Sequence, residues 1–157
     1  LYRMRDFIFK EVIDLNGKNI GFVGDLVIDF NLKLIKGFNV ISNSILKKDT
    51  NIYKNDILSL NPVVISDKFS KDEALKFHDI RIMDVVDKNQ NVIGKIEDVI
   101  FYENSFYIKA FIISSGLLYD MLYGRKILSA KKLILGDKNI LYRNYIDEEE
   151  KINEYEN

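Results

Sequence analysis

The chain writes one pattern twice, and this constrains its fold more than any other feature. Gly21 and Gly94 stand 73 positions apart (94 − 21), and at that offset Val12 meets Val85, Asp14 meets Asp87, Asn16 meets Asn89, Ile20 meets Ile93 and Asp25 meets Asp98. Further along, Asn31 meets Asn104, Ile35 meets Ile108, Phe38 meets Phe111 and Ser42 meets Ser115. Turn residues and apolar residues keep register together, which chance matching does not do. The period exceeds the roughly 20–50 residues of a solenoid unit. Each copy therefore reads as a small domain, at residues 5–66 and 78–146, with a polar linker at residues 67–77 and an acidic tail at residues 147–157.

Within each copy, short runs rich in Ile, Val, Phe and Tyr are divided by Asn, Asp and Gly clusters, a pattern of strands and tight turns. "DLNG" (Asp14 to Gly17) and "DKNQN" (Asp87 to Asn91) read as hairpin turns, because Asn and Gly accept positive φ at little cost. Five or six strands are expected per copy. An open sheet of that size leaves two sticky edges, and closure into a small barrel removes them. A domain of roughly 60–70 residues is marginal alone, so packing the barrels together adds buried apolar area. "AFIISSGLL" (Ala110 to Leu118) suits this, with one strand face for the barrel core and one for the other copy. The expected fold is all-β: two small barrels in tandem, a helical turn or two around Lys71 to Phe77, and a helical or disordered tail.

Composition narrows the chemistry. The 157 residues carry a formal net charge of −1 and no Cys. No global basic field draws the chain to nucleic acid or an anionic membrane, and thiolate nucleophiles, disulfides and Cys-ligated metal sites are excluded. No apolar run approaches the roughly 18–20 residues of a membrane helix, and "LYRMRDFIFKEV" has no signal-peptide core. A cytoplasmic location is expected. Richness in Ile, Lys and Asn resembles the coding bias of an AT-rich bacterial genome.

The pattern then resembles a known family. The hairpin with its repeated Gly and Asp, followed by a turn and an apolar strand, resembles the PRC-barrel, the domain type of the photosynthetic reaction-centre H subunit. The stretch "GLLYDMLYGRKILSAKKLILGDKNILY" (Gly116 to Tyr142) resembles that family's later half. Two departures are that Ser129 stands where the family has Pro, and that "LNPVV" (Leu60 to Val64) replaces the Gly136-Asp137 turn in the first copy. Tandem copies of this length resemble the small stand-alone PRC-barrel proteins of spore-forming bacteria. The resemblance implies a scaffold or adaptor module, not an enzyme, and brings no catalytic residues, metal or cofactor. Through a ribosome-maturation factor that contains the domain, it also implies an alternative, a ribosome- or RNA-associated role.

The candidate residues are weighed on the same footing. His78, the one histidine, has no nucleophile or ligand cluster beside it in sequence and reads as a surface or hinge residue. Asp25 and Asp98, with Asp14 and Asp87, read as carboxylates that bond backbone N–H groups at turns and bulges. Gly21 and Gly94 lack the Lys-Ser/Thr of a phosphate loop and read as a bulge or a close backbone approach. Basic clusters at Lys47-Lys48 and around Arg125, Lys126, Lys131 and Lys132, near Tyr119 and Tyr123, allow an RNA reading that the net charge opposes. The most distinctive segment is "GLLYDMLYGR" (Gly116 to Arg125), where Leu117, Leu118, Tyr119, Met121, Leu122, Tyr123 and Arg125 form either a packed plug or an exposed anchor for a protein partner. Its counterpart "NSILKKDTN" (Asn43 to Asn51) is polar, so the copies differ there. Self-association, and a small-ligand binder or enzyme using a cleft between the barrels, are the other readings.

Overall fold

The computed structural model describes residues 1–43, 50–66 and 68–144. Chain order runs β1 (Tyr2–Arg3), β2 (Glu11–Ile13), β3 (Asn19–Asp29), β4 (Leu34–Ser42), β5 (Thr50–Tyr53), β6 (Ile57–Leu60), β7 (Val63–Ile65) and helix α1 (Phe77–Arg81). Then follow β8 (Asp84–Val86), β9 (Val92–Phe101), β10 (Ile108–Ser114), helix α2 (Leu117–Tyr123), β11 (Lys126–Ser129), β12 (Leu133–Leu135) and β13 (Asn139–Tyr142). The first sheet has the order β5-β4-β3-β2-β7-β6 and the second β11-β10-β9-β8-β13-β12, so the two halves share one topology. In each sheet the two outermost strands are consecutive in the chain and joined by a single 3-10 turn, Lys54–Asp56 or Ala130–Lys132, which curls the sheet toward closure. The fold is all-β and PRC-barrel-like.

Local chemistry sets the hairpins. Asp14 Oδ1 accepts the N–H groups of Asn16 and Lys18 at 2.9 and 2.8 Å, and Asp87 Oδ1 accepts those of Asn89 and Asn91 at 2.8 and 2.9 Å. The left-handed position of each turn falls at Gly17 (φ +77°) and at Gln90 (φ +64°). Four residues on, at Gly21 and Gly94, β3 and β9 press against their neighbours. A Cβ on Gly21 would overlap the Ile41 carbonyl and sit 2.9 Å from its carbon. A Cβ on Gly94 would do the same to Ser114, at 2.9 Å. In both halves the register with the preceding strand slips just beside this glycine.

The helix expected around Lys71 to Phe77 is corrected: the described residues from 68 to 76 are non-helical, and α1 begins at Phe77. Two causes act together. Ser70 pairs with Asn51 and Lys76 bridges to Val27, which keeps the intervening chain extended. Lys76 is then the N-cap, and its N–H donates to Asp79 in the first turn at 2.8 Å, which starts the helix one residue later.

The halves are related by an approximate two-fold axis. Leu34 bridges to Tyr107, its own counterpart 73 positions on (107 − 34). Beside it the Ile35 N–H donates to Phe106 O at 2.9 Å and the Ile108 N–H to Lys33 O at 2.7 Å, a reciprocal pair. A residue that meets its own counterpart lies on the symmetry axis. Lys33 (φ +54°) and Phe106 (φ +62°) share the same left-handed conformation there.

The leading segments cross this axis. β1, ahead of the first half, pairs with β9 of the second (Arg3 with Ile100), and Lys76, ahead of the second half, bridges to Val27 of the first. One continuous core results. Phe30 of the first half stacks on Phe111 of the second at 5.4 Å between ring centroids, and Phe7 lies 5.1 Å from Phe38 and 5.8 Å from Phe101. Residues Ala110 to Ile113 of β10 are buried on both strand faces, as the doubly apolar sequence implies.

Candidate functional site

Two features combine residues singled out in the sequence. The first is the pair Asp25 and Asp98, buried at bulges in β3 and β9, where the register slips between Val23 and Asp25 and between Ile112 and Ile113 opposite Asp98. Asp25 Oδ1 accepts the Leu26 N–H at 2.7 Å and Oδ2 accepts the His78 N–H at 3.1 Å. Asp98 Oδ1 accepts the N–H groups of Val99 at 2.8 Å and Met4 at 3.1 Å, and Oδ2 accepts the Arg5 Nε–H at 2.9 Å. Each carboxylate thus holds the helical turn that leads into the opposite half. Both oxygens of each are engaged by N–H donors, so the pair works as a clasp.

The clasp is not symmetric in charge. Arg5 of one turn corresponds to His78 of the other, and His78 offers Asp25 its backbone N–H while its side chain is solvent-exposed. Burial pushes the Asp25 carboxyl above its ordinary value of 3.8, against the opposing bonds from Leu26 and His78. A raised carboxyl binds a proton in the folded chain that the unfolded chain has released. Its contribution to stability is therefore full below about pH 3.8 and is lost as pH rises through the raised folded value. Urea unfolding of wild type measured against Asp25→Asn is expected to show wild type losing ground as pH rises above about 4. A difference that stays constant with pH would show that burial does not govern this carboxyl.

A cleft of about 930 Å³ crosses the two-fold axis between the clasps, lined by Arg5, Asp25, His78, Arg81, Asp98 and Arg125 among others. Its charges are largely matched: Arg5 pairs with Asp98, and Arg125 pairs with Glu97 and lies 3.7 Å from Asp120. Among the described residues no hydroxyl or thiol lines it. Among the described residues no cluster of three or more His, Asp or Glu could hold a metal ion, and no helix is long and apolar enough to cross a membrane.

The second feature is α2, bounded by Gly116 (φ +107°) and Gly124 (φ +76°). Asp120 pins it to the barrel: Oδ2 accepts the Ser114 hydroxyl at 2.5 Å and Oδ1 the Ser115 N–H at 2.9 Å. Those bonds, the Ser114 hydroxyl first, hold its carboxyl below the ordinary range. Arg125 ties the far end to Glu97. With its one anchoring side chain turned inward, the helix buries none of its residues. Leu117, Leu118, Met121, Leu122 and Tyr123 are each 73–78% exposed, and Tyr119 is 43% exposed. The Tyr119 and Tyr123 rings lie 4.7 Å apart between centroids and are tilted by 42°, and Lys126 Nζ lies 5.4 Å over the Tyr119 ring. Of the two readings of this segment, the exposed one describes its geometry. Residues 44–49 of the polar counterpart, with Lys47 and Lys48, and the whole acidic tail at residues 147–157 lie outside the described residues.

Sequence reasoning missed the leading segment, Met4, Arg5 and Phe7, which completes the second half and the core. A signal was present, because Asp6 and Asp79 are identical at the 73-residue offset (79 − 6) and close the same capping box. It also missed the buried pair Asn39 and Asn51, in which Asn39 Nδ2 donates to Asn51 Oδ1 at 2.9 Å.

The curled six-strand topology with a Gly-bulged hairpin defines a small β-barrel domain. A family model described as PRC-barrel domain matches residues 72–148, so the chain carries a PRC-barrel domain comprising α1 and the second sheet except β1. No curated protein matches the chain.

Proposed function

We propose that the protein is a non-catalytic cytoplasmic adaptor that docks a protein partner through α2, and that its first half is a second copy of the same domain. PRC-barrel domains are commonly protein-interaction or scaffold modules, and the shared strand order supports the tandem reading. The observation that carries the docking reading is the concentration of exposed apolar side chains on one seven-residue helix, fastened through Asp120 at its middle and Arg125 just past its end. Scattered exposed apolar residues are ordinary, but a contiguous patch marks an interaction surface. The buried core makes no use of these side chains, so charging them does not disturb it.

The test uses Leu118→Asp and Met121→Asp. Both side chains are more than three-quarters exposed, so thermal stability is expected to change by no more than about 0.5 kcal/mol, the usual range for surface sites. Co-purification of the partner from the native cell is expected to be lost in both. Unfolding of either variant would place the helix in the core, and undiminished co-purification would remove α2 from the interface.

A further inference from the structure

The two sheets present the same edge in different states. In the first sheet the edge strand β5 is covered by the chain itself. The Asn51 N–H donates to Ser70 O at 2.8 Å, Asn51 O accepts the Ser70 N–H at 2.9 Å, and Asn51 Nδ2 donates to Asp72 O at 2.8 Å. This is an antiparallel bridge, and it buries Asn51 and Ile52. In the second sheet β11 has the same register on its neighbour. Gly37 pairs with Tyr53 and Asn39 with Asn51, just as Ala110 pairs with Ser129 and Ile112 with Ile127. The N–H and C=O of Ile127 therefore face away from β10, as those of Asn51 face away from β4. Among the described residues no backbone group pairs with β11 beyond β10, and Ile127 is 63% exposed.

Natural edges are blunted by short length, charged side chains such as Lys, Pro, bulges or covering segments; β11 is four residues long and carries Lys126 at its start. β11 has no Pro, keeps an unbroken register on β10 and continues directly from the exposed apolar helix through Gly124 and Arg125. Its single charged residue, Lys126, disfavours a second copy of the same basic edge and favours an acidic strand, and Lys131 and Lys132 follow in the next turn. The first half offers an internal precedent: the segment that covers β5 carries Asp72 two residues beyond the paired Ser70, with its carboxylate on Tyr53 and Ser70.

We propose that β11 accepts an acidic, extended peptide segment of the docked partner as an added antiparallel strand, paired through the backbone of Ile127, with apolar side chains of that segment resting on α2. The proposal rests on the docking reading of α2 and names the chemistry of the partner.

The test uses the full chain, a synthetic peptide of alternating Val and Glu, and the same peptide N-methylated at alternate residues. Binding of the unmodified peptide is expected to slow hydrogen exchange at the Ile127 amide by about tenfold or more, to weaken with salt, and to vanish on N-methylation. Ile127→Pro removes only an outward N–H, which an edge strand tolerates. It is expected to keep the melting temperature and to weaken peptide binding by about tenfold or more. Equal binding to Ile127→Pro would overturn strand addition. Loss of partner co-purification in Leu118→Asp but not in Ile127→Pro would leave the docking surface standing and sink this inference; retention in both would sink the two together. An Ile127 amide already protected in the dilute, isolated chain would show that the chain covers its own edge. Protection that grows with protein concentration would show that a second copy does. Either result overturns the proposal.

Discussion

Replacing Gly94 by Val is expected to cost more than about 4 kcal/mol, in the exceptional range for single substitutions. The offence lies in the Cβ itself. It would overlap the Ser114 carbonyl and meet Ile113 Cγ2 at 2.9 Å, at a φ of +154° that L side chains rarely adopt. Neither neighbour can yield cheaply, because both belong to β10, whose residues are buried on both faces between the halves. Relief would require β9 and β10 to separate along the longest ladder of the second sheet. Gly94→Ala is therefore expected to be nearly as damaging as Gly94→Val. Urea unfolding followed by circular dichroism checks this. Native-like stability in the alanine variant would mean that the strands can part there at little cost. The same argument holds at Gly21 against Ile41.

Phe7→Ala is expected to cost about 3–5 kcal/mol, the range for truncating a buried aromatic. Phe7 is fully buried and packs edge-on to Tyr2 at 4.9 Å, besides its contacts with Phe38 of the first half and Phe101 of the second. Because its ring bridges both halves, the loss is shared. Hydrogen exchange at the amides of Val23 and Val99, one fully buried residue in each sheet, is expected to accelerate by similar factors. Acceleration confined to one sheet would show that the halves open independently and that the continuous core does not couple them.

The strand pattern was legible because β structure writes its faces into a two-residue period and its turns into Asn, Asp and Gly. Asp14 and Asp87 announced their hairpins, and Gly21 and Gly94 marked places where something approaches closely. The roles of Asp25 and Asp98 were half legible. The sequence reads them as backbone acceptors at turns and bulges, but not as buried, and the partners lie 53 and 94 positions away at His78 and Met4. Local pattern carries no information about such pairings. The helix around Lys71 to Phe77 was misplaced for the same reason: helix-tolerant composition gave way to long-range pairing with Asn51 and Val27.

Two surface features depended on tertiary structure for one physical reason. Hydrophobicity states that a side chain gains by leaving water, but not which surface receives it. "GLLYDMLYGR" reads the same whether it plugs a barrel or waits for a partner, and only the packed core, complete without it, leaves α2 outside. β5 and β11 likewise hold equivalent places in their sheets, yet among the described residues the chain's path covers the edge of β5 and adds no strand to that of β11. By itself the sequence determined the repeat, the hairpins, the all-β class and the absence of cysteine chemistry, because each follows from neighbours along the chain. The tertiary structure decided the exchange of leading segments, the clasp across the two-fold axis and the exposure of α2, because each depends on surfaces that meet only after folding.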